Sequence, residues 1–121
     1  PAFSGNVQGI CPDGWHIPSE SEFETLKAAV SNNSNALKAI GQGTGSGAGT
    51  NTSGFYALLA GARWNDGNNY GLGEKAIFWS FTEQTPTSAS FMSLHYGTSD
   101  VHLTDIYITK KNGFSVRCVK D

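Results

Sequence analysis

The sequence predicts a single α+β domain, with helix at the N-terminal end and a small, mostly antiparallel sheet after it. Three observations carry that expectation. A capped amphipathic segment lies near residue 20, short alternating apolar runs fill the second half, and Asn112-Gly113 opens a last two-periodic run before the C-terminus. The 121 residues leave room for one domain, 1–121, and little else.

Taking the elements in order, Ser19 followed three residues later by Glu22 is a capping box. Phe23, Leu26 and Val30 then share one helical face, and Ser31-Asn32-Asn33 ends the helix. A short second helix is expected over 35–40, stopped by Gly41. The Gly/Ser/Thr-rich stretch 41–53 reads as a flexible surface loop with nothing to bury. Residues 55–60 and 76–80 are apolar runs suited to buried strands, the second rich in aromatics. In 90–96, Phe91 and Ser93 alternate with Met92 and Leu94. Val101 and Leu103, then Ile106 and Ile108, alternate with polar or aromatic neighbours, with a change of phase at 104–105 that predicts a bulge or break. The turn at Asn112-Gly113 launches a strand over 114–118 that delivers Cys118 to the core face. The expected core is Trp15, Phe23, Leu26, Leu58, Phe78, Trp79, Phe114 and Val116.

Composition narrows the function. Only 38% of residues are hydrophobic and 15% charged, so the chain can build one modest core under a polar, loop-rich exterior. A net charge of −2 with no Lys/Arg run argues against nucleic-acid or anionic-membrane partners. The longest apolar run, 56–60, is far too short to span a bilayer, which takes about 20 residues. No leader stands at the N-terminus, so the chain reads as a mature or excised segment. The two cysteines, Cys11 and Cys118, lie near opposite ends. They are either a bridge closing almost the whole chain or two separate buried thiols. The bridge is the favoured reading because a thin core needs such a clamp, and it implies an exported protein.

The segment Cys11-Pro12-Asp13-Gly14-Trp15-His16-Ile17-Pro18-Ser19-Glu20-Ser21-Glu22-Phe23, the block Phe78-Trp79-Ser80-Phe81-Thr82-Glu83, and the ending Gly113-Phe114-Ser115-Val116-Arg117-Cys118-Val119-Lys120-Asp121 belong together. In order and spacing they strongly resemble the Fibrobacter succinogenes major paralogous domain, a family abundant in exported proteins, over residues 9–121. Phe81 departs from a more usual small hydroxyl residue, and Ala57-Leu58-Leu59-Ala60-Gly61 from a Leu-Pro-Gly-Gly-like turn. The Trp15–Phe23 stretch and the Gly-Phe-x-Val-Arg ending are also similar to formylglycine-generating enzymes. Both resemblances imply a C-type-lectin-like fold, with paired terminal strands and a disulfide from the helix start to the last strand. They also imply one module of a larger exported protein.

Several constellations bear on chemistry. Trp64-Asn65-Asp66 matches the Trp-Asn-Asp of calcium-dependent C-type lectins, yet it lacks their Glu-Pro-Asn or Gln-Pro-Asp partner and precedes the Phe78-Trp79 strand. Asp66, Asn68, Asn69 and Glu74 supply few of the six to eight oxygens that calcium takes. A turn displaying Trp64 and Tyr70 is the favoured reading, with no cofactor expected. The copper-binding thiol pair of formylglycine-generating enzymes has no counterpart, because both cysteines are accounted for. A Ser/His/Asp set from Ser93, His95 or His102, and Asp100 or Asp105 has no Gly-x-Ser-x-Gly elbow around it. His16, beside the helix cap, reads as packing or capping rather than as a base.

Binding remains. A sugar needs a flat apolar face for its C–H groups and fixed polar groups for its hydroxyls, which Trp or Tyr with Asn, Asp and His supply. The expected ligand-binding residues are Trp64, Asn65, Asp66, Asn68 and Tyr70 in one loop. His95, Tyr96, Asp100, His102, Asp105 and Tyr107 follow in the segment 84–112, which faces the ligand in related lectin-like proteins. The expected function is therefore non-catalytic recognition of a glycan or a protein ligand, secreted or at a bacterial cell surface. A structural or assembly module of an adhesin or fibre is the alternative, and a glycan-processing enzyme module a more distant one.

Overall fold

The computed structural model describes residues 7–103 and 107–121. Its order is β1 (Trp15–His16), α1 (Glu20–Ala29), β2 (Ala62–Arg63), β3 (Asn69–Tyr70), β4 (Lys75–Thr85), β5 (Ser88–His95), β6 (His102–Leu103), β7 (Ile108–Thr109) and β8 (Val119–Lys120). One helix with antiparallel sheets makes this an α+β domain, as the sequence predicts.

The helix starts where the capping box sets it. Ser19 Oγ accepts from the Glu22 amide at 3.1 Å, and Glu22 Oε2 accepts from the Ser19 amide at 2.8 Å. It ends at Val30, followed by Ser31 and Asn32 in the left-handed region. Phe23 points inward at 3% exposure, with Leu26 and Val30 beside it. The second helix does not form: only a 3-10 turn appears, at Ser34–Ala36. Residues 37–39 are drawn instead into pairing with Ala57, whose amide donates to the Leu37 carbonyl while the Ala39 amide donates back to it. Tertiary pairing here overrides helix propensity.

The long β4–β5 hairpin is the scaffold. Ala76 and Phe78 of β4 and Met92 and Leu94 of β5 alternate onto the inner face, meeting Phe23, Leu37, Ala57, Leu59 and Val101. On the outer face Trp79 lies across from Phe91. Phe114 packs on both, with ring centroids 4.4 Å from Trp79 and 5.7 Å from Phe91. β6 and β7 pair with the same edge of β5. From Met92↔Leu103 to Ala89↔Ile108, three steps along β5 face five along its partner. The expected break at 104–105 lies outside the described residues.

Several expectations about the core and its strands need correction. The run 55–60 is not a strand. Tyr56 takes φ +60° and the Ala60 amide turns back to the Leu58 carbonyl, so the run is broken at both ends. Leu58 is consequently 53% exposed rather than core. Trp15 is 39% exposed, because on the two-residue β1 it is His16 that points inward. Trp79, Phe114 and Val116 are half-buried. The segment 114–118 forms one bridge to β4, Phe78↔Ser115 in parallel, rather than a continuous strand.

Cys11 and Cys118 form a disulfide across a separation of 107 residues. Beside it β1 pairs antiparallel with β8, joining the two ends of the chain. His16 reinforces this junction: Nε2 meets Glu22 Oε1 at 2.7 Å and Nδ1 meets Asp121 Oδ1 at 2.6 Å. Two carboxylates on the two ring nitrogens require both to be protonated. The bond to Glu22 raises the imidazole pKa, burial opposes it, and Asp121 adds to the rise. Burial also opposes ionisation of Glu22, but the Ser19 amide and His16 hold its pKa below the usual value. The raised His16 value means its contribution to stability is complete below about 6.5 and is lost as pH rises through the folded-state value. The Glu22 contribution has the opposite sense and is lost on acidification. Urea midpoints measured against pH are therefore expected to fall on the alkaline side, and His16→Gln to abolish that limb.

The glycine-rich stretch 41–53 is tied to the body. The Thr44 amide donates to the Tyr96 carbonyl, and Gly49 to Gln42. Gly47 is buried, and a Cβ on it would lie 2.2 Å from the Tyr96 carbonyl oxygen. Lys38 is fully buried beneath, its Nζ donating to Asn35 Oδ1, to the Gly47 carbonyl and to the Thr98 carbonyl at 3.2, 2.8 and 2.7 Å.

Candidate functional site

The hairpin β2–β3 pairs Ala62 with Tyr70 and Arg63 with Asn69. Its tip is built by Asp66, whose Oδ1 accepts from the Asn68 amide at 2.9 Å and whose Oδ2 accepts from the Tyr70 hydroxyl at 3.0 Å. Those bonds lower the Asp66 pKa, the Asn68 amide contributing most. The hairpin is anchored on the other side. The Arg63 amide and carbonyl exchange bonds of 2.9 and 2.7 Å with Gly113, and the Asn65 amide donates to Asn112 Oδ1 at 2.8 Å. Trp64 packs edge-on against Phe114 with centroids 5.6 Å apart. It is thus a half-buried support of the hairpin rather than a freely displayed ring. Tyr70 remains 47% exposed.

Between the hairpin and the segment 113–115 lies an open groove of 560 Å³. Tyr70, Asn69, Arg63, Leu72, Phe114 and Ser115 line it, over a floor that includes Gly61 and Ala62. Gly61 has φ +70°, and a Cβ there would lie 2.5 Å from the Tyr70 carbonyl oxygen. Glycine is therefore what allows the floor to pass under the hairpin. Two further grooves are mostly apolar. One lies along α1 and is closed by Arg117 stacked 4.4 Å over the Phe55 ring; the other lies beside Trp79 and Val116. Of these three grooves among the described residues, the hairpin groove is the one whose lining combines an exposed tyrosine with asparagine, serine and arginine residues.

The sequence-predicted residues divide. Trp64, Asn65, Asp66, Asn68 and Tyr70 come together at the hairpin. His95 and Tyr96 adjoin it through β4, since His95 pairs with Lys75 and the Tyr96 amide donates to the Glu74 carbonyl at 2.8 Å. The His95 and His102 rings meet edge-to-face at 4.7 Å, and Ser93 Oγ lies 3.2 Å from His95 Nε2. Burial, then the charges of His102, Lys75 and Lys38, lower the His95 pKa. Asp100 is elsewhere: it bridges Asn33 and accepts from Asn32 Nδ2 at 3.4 Å, tying the chain after β5 to the end of α1. It does not join the histidines. Tyr107 sits by the helix start, where its hydroxyl donates to Glu20 Oε2 at 3.2 Å, away from the hairpin. Asp105 lies outside the described residues. Among the described residues no three of His, Cys, Asp and Glu gather as a metal-holding group.

Sequence reasoning missed Arg63, Asn69 as a groove residue, Leu72 and Ser115. A pairing of 62–63 with 69–70 around Asn-Asp-Gly would have placed Arg63 and Asn69 opposite each other, but two-residue strands carry too little alternation to read.

The sequence model of the Fibrobacter succinogenes major domain matches residues 3–120. The chain belongs to that family. No curated protein and no solved structure matches it. Within this Fibrobacter major domain, the Cys11 and Gly113–Cys118 blocks that carry the family resemblance are the two partners of the disulfide junction. No helix among the described residues is long and apolar enough to cross a membrane.

Proposed function

We propose that this domain is a non-catalytic, C-type-lectin-like recognition module that binds a glycan in the hairpin groove, outside the reducing cytosol. The observation that carries the reading is the Tyr70 ring, exposed yet fixed by its hydroxyl bond to Asp66, in a groove that Asn69, Arg63 and Ser115 also line. A sugar stacks its C–H face on such a ring and spends its hydroxyls on the surrounding polar groups. The disulfide and the paired chain ends support both the extracellular setting and the lectin-like topology. Affinity electrophoresis in gels containing plant, algal and microbial polysaccharides tests it. The wild type is expected to be retarded by at least one polymer, and Tyr70→Ala to weaken that binding about tenfold, equivalent to ~1.4 kcal/mol. Retardation unchanged in Tyr70→Ala would remove the groove from the reading.

A second reading, an assembly module with a protein partner, is favoured by the exposed aliphatic side chains Ile40, Leu58 and Leu72 at 75, 53 and 83%. It requires Leu58→Ser with Leu72→Ser to abolish self-association or partner capture that the wild type displays.

A further inference from the structure

We infer that the face built around Ile40, Leu58 and Leu72 is where a second copy of this chain docks, about a two-fold axis. This rests on the assembly reading above and names its partner. The tracts 39–62 and 67–73 contain no Asp, Glu, Lys, Arg or His, although the chain carries 8 basic and 10 acidic residues. Backbone pairing brings their aliphatic side chains together. The Ala39 amide donates to the Ala57 carbonyl, and the Gly73 amide to the Leu59 carbonyl. Ala39, Ala57 and Leu59 are buried, whereas Ile40 and Leu58, one step along the chain, and Leu72, next to Gly73, are exposed. Tyr56, also exposed, adds a ring on the same segment as Leu58. Lys38, the charge beneath, is fully buried and held by three oxygens.

The face is ordered before any partner arrives. Gln42 ties it across: its carbonyl accepts from the Gly49 amide, and its Oε1 accepts from the Leu59 amide at 2.8 Å. With the Thr44–Tyr96 bond and the buried Gly47, this leaves little backbone freedom to lose on docking. Charge favours an identical copy as the occupant. A chain of net charge −2 repels its like across a charged surface, but these tracts set no charged side chain against another. A two-fold contact lays one patch on itself, and aliphatic against aliphatic is self-complementary under that rotation. Three exposed aliphatics and a tyrosine per copy suit the smaller specific interfaces, below about 1,200 Å² in total, and hence a weak dimer.

The test is sedimentation of the oxidised domain from about 5 to 500 µM, the range that suits an interface of this size. Leu58→Lys and Leu58→Glu are run alone and as an equimolar mixture; neither replaces a residue that lines the hairpin groove. The wild type is expected to pass from monomer to dimer within that range. Each variant alone should associate at least tenfold more weakly, because the two-fold axis brings like charges together, and the mixture should pair again. Ile40→Ser should weaken pairing as well. Thermal melts of the variants at the lowest concentration should match wild type, since both side chains lie outside the core. A wild type that stays monomeric, pairing that neither Leu58 variant weakens, or a mixture no tighter than its components overturns the inference. A monomeric wild type that captures a different protein from its native medium, with capture lost in Leu58→Lys, overturns the second copy and leaves the assembly reading standing. A monomer that captures nothing overturns both.

Discussion

Replacing Cys11 and Cys118 together by alanine is expected to cost about 4–5 kcal/mol, the largest effect of any single covalent change in this domain. The bridge closes a loop across 107 residues. By chain entropy a loop of that order restrains the unfolded ensemble by about 4.7 kcal/mol. A domain of this size has roughly 5–15 kcal/mol in all, and here the inner core is a single layer between one ten-residue helix and one hairpin. The terminal pairing of β1 with β8 involves two residues on each side and cannot substitute for the bridge. Urea unfolding with and without a phosphine reductant measures the effect directly. The midpoint should fall sharply on reduction, with the alanine pair unaffected by the reductant. An unmoved midpoint would mean that the β1–β8 and His16 contacts hold the ends unaided.

The second large effect is expected at Lys38. Lys38→Met retains the length of the side chain and its burial but removes the donor that serves Asn35, Gly47 and Thr98. Two backbone carbonyls lose a charged donor in a closed setting, at an expected cost of about 3 kcal/mol. Burial lowers the Lys38 pKa, while three oxygen acceptors favour the ammonium. Loss of the charge should be felt first where the glycine-rich segment meets the turn after β5, because Gly47 and Thr98 lie on those two pieces. Hydrogen exchange at residues 44–49 and 96–99 is expected to accelerate well beyond the global change, whereas Lys111→Met, on the surface, should stay within about 0.5 kcal/mol of wild type. Equal protection in Lys38→Met would show that the Thr44–Tyr96 backbone bond alone seats the segment.

What was legible in the sequence follows physical locality. The capping box, the Phe23–Leu26–Val30 face and the stop at Ser31-Asn32-Asn33 involve residues within a few positions of one another, and all three stand as read. The strands β4 and β5 were legible in part, the first as the apolar run 76–80 and the second as the alternation over 90–96. The bridge between Cys11 and Cys118 was legible from the thinness of the core and the shortage of other staples. The segment 35–40 was not, because its fate is set by Ala57, almost twenty positions away. Nor was the burial of Gly47 and Lys38: a glycine tract and a lysine both look like surface until the carbonyls of Tyr96 and Thr98 arrive beside them. At the site, composition singled out Trp64, Asp66 and Tyr70, but not the packing of Trp64 against Phe114. Tyr107 and Asp100 looked equivalent to Tyr96 in sequence, but their partners Glu20 and Asn32 place both by α1.

The recognition face is tested most directly by amide chemical-shift mapping of the folded, oxidised domain during titration with the oligosaccharide bound most tightly. Perturbations concentrated on Arg63, Asn69, Tyr70, Leu72 and Ser115, weakening outward and absent along α1, are the expected result. Saturable shifts centred instead on the groove of Phe23, Phe55 and Val119, with the hairpin amides unmoved, would contradict it.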